Sequence, residues 1–127
     1  MPAARVNERH GLGGCGVDAA RLLKKNRAAM RQRLDEVDLH SVRWRVVRSA
    51  AELAGFVHDN DGPAVVKPLD EGGSRLVSRI DRPTDAAAVW YRNSSAGRDR
   101  MLAEEFLTGP EISVEAFTVD GRHTMWG

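Results

Sequence analysis

The dipeptide Asp120–Gly121 closes an alternating run, "EISVEAFTV" at 111–119, and constrains this chain more than any other feature. Asp-Gly suits the positive backbone φ of a tight hairpin turn, and strict alternation suits a strand with one face turned to a core. Ile112, Val114, Ala116 and Thr118 would share that face. Together the two signals predict an antiparallel hairpin, with the chain ending a few residues into its second strand.

The segments before it alternate between helical and strand periods. Residues 1–16 are polar and rich in glycine, which predicts a loop leading into the domain proper at 17–127. From 17 to 37, Ala19, Leu22, Leu23, Met30, Leu34 and Val37 fall on one helical face. Asn26 falls on the same face. A break accounts for it: one helix ends near Lys24, and Asn26 caps a second whose first turn holds Arg27. "SVRWRVV" at 41–47 reads as a strand. Ser49 followed by Glu52 is a capping box, which starts a helix running to about His58. Short strands at 64–67 and 76–80, a helix from Thr84 through Tyr91 and a strand at 101–107 follow. This order predicts an α+β fold with a mostly antiparallel sheet and flanking helices.

Composition limits what such a fold can do. A chain of 127 residues makes one modest domain, and 42% hydrophobic with 29% charged residues is the balance of a globular chain. No apolar run reaches the ~18 residues that span a membrane, and the first residues lack the apolar core of a secretory signal. Neither Cys15 nor the four scattered histidines form a metal motif, and a lone cysteine fits a reducing, cytoplasmic setting. Net charge is only +1, yet basic residues from Arg21 to Arg48 crowd the first half. Such a run suits either a solvated helix face or a phosphate-bearing ligand. Nucleic acid is not expected, since no aromatics interleave with the charges and no recognition motif is present.

Two stretches carry chemistry. In "PAVVKPLDEGGSRLVSRI", Lys67 ends an apolar strand and a turn of two glycines and a serine follows. A strand end fixes an ammonium group in place. Glycines let backbone N–H groups close over an anion without side-chain clash. In "LAEEFLTGPEISVE", paired carboxylates meet a turn and then two further carboxylates, a layout that can read an amine and hydroxyls.

With "NRAAMRQRL", these stretches resemble in order and spacing the motifs of the ATP-grasp superfamily. The likeness is to its carboxylate–amine ligase branch, near biotin carboxylase and carbamoyl-phosphate synthetase. It runs from about Gly11 to the end of the chain. The resemblance implies a partial ATP-grasp fold: the small ATP-binding lobe and only the start of the second lobe. It implies ATP as ligand, with Arg27 at the phosphates, Lys67 near the α-phosphate and adenine, and Gly72, Gly73 and Ser74 in the loop that covers the phosphates. Glu104, Glu105, Phe106 and Leu107 match the hinge that reads adenine, and Glu111 matches the ribose carboxylate. In the intact family, magnesium assists transfer of phosphate to a small carboxylate, which an amine then attacks.

Departures from the pattern set further expectations. Arg27 stands for a lysine, and Leu76 stands for a glycine after "GSR". No acidic strand pair follows to bind magnesium and no substrate domain precedes, so the chain alone is expected to bind ATP without turnover. The alternative is a non-catalytic remnant, or a module without independent activity that docks on a complementing chain or on itself.

Overall fold

The computed structural model describes residues 2–39, 42–69, 76–94, 97–119 and 121–126, without the side chains of 23–25 and 126. Helices α1 (Pro2–His10), α2 (Val17–Lys25) and α3 (Arg27–Glu36) lead into strand β1 (Trp44–Val47). Then come α4 (Ala50–Asp59), β2 (Ala64–Pro68), β3 (Ser78–Ile80), a 3-10 turn (Pro83–Asp85), α5 (Ala86–Ser94) and β4 (Met101–Glu105). The strands β5 (Glu115–Val119) and β6 (Arg122–Trp126) follow. The first four strands form one sheet in the order β1-β4-β2-β3, with every pairing antiparallel. The last two form a separate hairpin.

The core lies on one face of the four-stranded sheet. Period-two alternation turns Ala64 and Val66 of β2, Met101 and Ala103 of β4, Val47 of β1 and Ile80 of β3 to that side. There they meet Leu53, Phe56 and Val57 of α4 and Ala86 and Val89 of α5. Trp90 packs against the same cluster, partly buried.

Local signals set the helix ends. Asn26 breaks the helical stretch as its place on the apolar face implies: it ends α2, and its side chain accepts the Ala29 N–H at 3.0 Å to start α3. Ser49 Oγ accepts the Glu52 N–H at 3.1 Å. The Glu52 carboxylate reaches one residue further back than a capping box predicts, to the Arg48 N–H at 2.8 Å.

Several expectations are corrected. Residues 2–10 are helix, not loop. Ala4 is buried, and Glu8 accepts the Val17 N–H at 2.6 Å, satisfying an otherwise orphaned donor at the start of α2. The loop is confined to 11–16. Strand β3 starts at Ser78 rather than Leu76, because Leu76 has φ +58°, outside the strand region. The alternating run at 111–119 pairs only from Glu115, which faces Trp126 at the end of the described ladder. Ile112 and Val114 have no strand beside them there and are exposed. The alternation chose faces, but a strand also needs a neighbour for its backbone groups.

Candidate functional site

The face of the sheet turned away from α4 and α5 carries Lys67, Arg79 and Glu104. The register puts Trp44 of β1, Glu104 of β4, Val65 of β2 and Arg79 of β3 in one row across it. Lys67 of β2 lies opposite Leu102, so it is a diagonal neighbour of Glu104 on the same face. Helix α3 covers the β1 side of this face. Trp44 Nε1 donates to Asp35 of α3 at 2.8 Å, and Arg31 Nε donates to Glu104 Oε1 at 2.7 Å. Lys67 Nζ takes the other oxygen, Oε2.

Glu104 is therefore a buried carboxylate held between two cations. Burial alone would push its carboxyl up. Hydrogen bonds from Arg31 and Lys67, with their charges, outweigh that and hold it below the usual carboxylate range. Its side chain is 5% exposed, against 18% for Arg31 and 22% for Lys67, so the cations form the solvent side of the cluster. Two cations and one carboxylate leave an excess of one positive charge there.

The other residues marked by the motifs are placed as follows. Arg27 stands at the start of α3 against the end of β2: its N–H donates to Leu69 O at 3.1 Å, and Nη1 to Pro68 O at 3.4 Å. Arg27 and Lys67 thus flank the point where the chain leaves β2. Gly72, Gly73 and Ser74 lie outside the described residues. At the end of β4, the Glu105 N–H bonds Arg43 O and the Phe106 N–H bonds Pro63 O, each at 3.0 Å. These two N–H groups are spent on the ladder and its continuation. Leu107 is exposed, and no backbone hydrogen bond of its N–H is present among the described residues. Glu111 is exposed in the irregular stretch before β5, and no described hydrogen bond or ion pair ties it to Lys67 or Glu104.

Two participants were not picked out from the sequence. Arg31 looked like one more charge in a basic run. Its spacing from Arg27 places both on one helix face, which is the signal that could have found it. Arg79 lies over the Phe106 ring, 4.3 Å from its centroid, and Asp81 holds it through Nε at 2.8 Å. No short-range pattern links these partners.

Leu76 deserves its own test. Its φ of +58° is a conformation that glycine adopts at no steric cost and leucine only under strain, of about 1–2 kcal/mol. Leu76→Gly is expected to raise stability by about 1 kcal/mol, read as a higher urea midpoint. A lower midpoint would show that the leucine side chain contributes more by packing than its backbone costs.

No protein-family model matches the chain. It is 35% identical over 70 residues to the D-alanine–D-alanine ligase of Paracidovorax citrulli, covering 55% of this chain and 21% of that protein. It is 30% identical over 114 residues to the phosphoribosylamine–glycine ligase of Methanothermobacter thermautotrophicus, covering 84% of this chain and 26% of that one. The chain thus spans only about a fifth to a quarter of these curated relatives. Among solved structures, D-alanyl-alanine synthetase A of Vibrio cholerae superposes with a TM-score of 0.73 at 17% identity, over 97% of this chain and 39% of that chain. An L-amino acid ligase of Bacillus licheniformis gives 0.68 at 23% identity, over 96% and 27%. The biotin carboxylase domain of Hydrogenobacter thermophilus 2-oxoglutarate carboxylase, solved with MgADP, ADP and bicarbonate, gives 0.65 at 17% identity, over 82% and 25%.

Proposed function

From the premise that this chain is a partial ATP-grasp domain related to the carboxylate–amine ligases, we propose that it binds ATP on the open face of its four-stranded sheet. The observation that carries the reading is the Lys67–Glu104–Arg31 cluster. It sets a fixed ammonium group and an excess positive charge beside the strand end from which the glycine-bearing segment departs.

In this reading Lys67 and Arg27 meet the phosphates. Residues Gly72, Gly73 and Ser74 supply backbone and hydroxyl donors over them. The Leu107 N–H is offered to the adenine ring, with Glu105 and Phe106 fixing the backbone that presents it. Phe106, backed by Arg79, is an apolar wall for the base, and Glu111 takes the ribose hydroxyls. Glu104 itself is committed to its two cations, so its role is to position Lys67 rather than to touch the base.

Magnesium belongs to the chemistry of the intact family, where it neutralises phosphate charge. Among the described residues no group of three or more His, Cys, Asp or Glu side chains could hold a metal ion. The proposed grip rests on ammonium, guanidinium and backbone groups. The ligase reaction of the longer relatives, with a carboxylate and an amine as substrates, is the ancestral setting we propose for this grip. No helix among the described residues is long and apolar enough to cross a membrane.

Calorimetry with ATP and with MgATP tests the reading on the wild type and on Lys67→Ala. Losing one charge-assisted contact should weaken binding at least about tenfold. A folded wild type that takes up no ATP at millimolar concentration would remove the proposal.

A further inference from the structure

The motifs mark Lys67 and Glu104, but the third member of the cluster, Arg31, comes from a helix 73 residues before Glu104. The cluster divides one carboxylate between two cations: Arg31 Nε on Oε1 at 2.7 Å, and Lys67 Nζ on Oε2. Lysine has more N–H donors than one oxygen can take, so Lys67 keeps donors for a ligand. Its long, flexible stem would otherwise let the head wander among many rotamers. A carboxylate can fasten that head only if the carboxylate is itself fastened, and Arg31 fastens it from the far oxygen. One cation already neutralises Glu104, and the second satisfies its remaining oxygen. The second leaves positive charge where the phosphates are proposed to lie.

We propose that Arg31 is a positioning residue of the nucleotide site: it holds the Glu104 carboxylate so that Oε2 aims the Lys67 ammonium at the nucleotide's phosphates. This rests on the ATP-binding reading and deepens it. Arg31 need touch no ligand to act. The charged groups that face Glu104 are Arg31 from α3 and Lys67 from β2. Asp35 of α3 is bonded to Trp44, the β1 neighbour of Glu104, and Arg79 of β3 is paired with Asp81.

Arg31→Met and Arg31→Lys test the role in two measurements on the whole chain. The first follows the Glu104 carboxyl carbon and the Lys67 ammonium nitrogen by NMR across acid pH, without nucleotide. The methionine variant should raise the Glu104 midpoint and average the Lys67 signal, and the lysine variant should restore part of both. The second compares ATP with adenosine by calorimetry. Arg31→Met should weaken ATP about tenfold and adenosine far less, because the anionic phosphates feel the Lys67 ammonium most strongly. Arg31→Lys should recover part of the loss. If Arg31→Met does not fold, Arg31→Gln takes its place, with a several-fold loss for ATP and a raised Glu104 midpoint expected. ATP affinity and a Glu104 midpoint equal to wild type in a folded variant would overturn the positioning role while leaving ATP binding standing. A wild type that binds no ATP overturns both, and that outcome is read before any variant is compared. Equal losses for ATP and adenosine would reduce Arg31 to a structural residue.

Discussion

Glu104→Ala should lower the stability of the domain by about 3–5 kcal/mol, the usual cost of removing one partner from a buried charge cluster. The carboxylate is buried and central, with Arg31 on one oxygen and Lys67 on the other. Without it, two like charges face each other across the vacated space, each mostly shielded from water. Urea unfolding at neutral pH measures the loss. A change under about 1 kcal/mol would mean that both cations swing out to solvent, as surface ion pairs allow.

The same carboxylate predicts an acid response. Its folded pKa is depressed, so its contribution is fully present above the ordinary glutamate value of about 4.3 and is lost as pH falls through the lower folded value. Stability of the wild type should therefore drop toward that of Glu104→Gln as pH falls from about 4.3 toward the lower folded value. Parallel curves for the two proteins down to pH 3, roughly a unit below that ordinary value, would contradict the depressed pKa.

Leu53→Ala should cost about 2–5 kcal/mol through a different mechanism. Leu53 is fully buried on α4 and belongs to the cluster that joins α4 and α5 to the sheet. Its loss removes apolar contact and leaves a cavity that α4 cannot fill without leaving Val47 and Val66, which the sheet holds in place. It lies on the opposite face of the sheet from Lys67 and Glu104, so ATP affinity of the folded fraction should stay near that of the wild type. Thermal or urea unfolding gives the first value and calorimetry the second. A small loss of stability would show a core able to collapse around the cavity.

The sites that carried local signals were read directly. Asn26 divides two helices because its side chain is an acceptor where a donor goes unpaired. Ser49 starts α4 for the same reason. Lys67 follows an alternating strand, so its place on the face opposite Val66 is fixed by period two. Helix α1 was missed because its support comes from elsewhere: Ala4 is buried, and Glu8 reaches across the loop to α2. Residues 111–114 alternate like a strand yet form none, because alternation selects faces without supplying a paired neighbour.

Most element types, the helix caps, the two faces of each strand and the motifs that point to an ATP-grasp relationship are legible in the residues themselves. These follow from backbone torsions and side-chain periods, which act within a few residues. The place of β4 between β1 and β2 emerges from the folded chain alone, and that order is what brings Glu104 beside Lys67 and beneath Arg31. Strand order is a competition among all possible pairings to bury one apolar face, so no local stretch encodes it. The charged cluster on the other face is the product of that competition, which is why Arg31 was invisible as a site residue until β4 was in place.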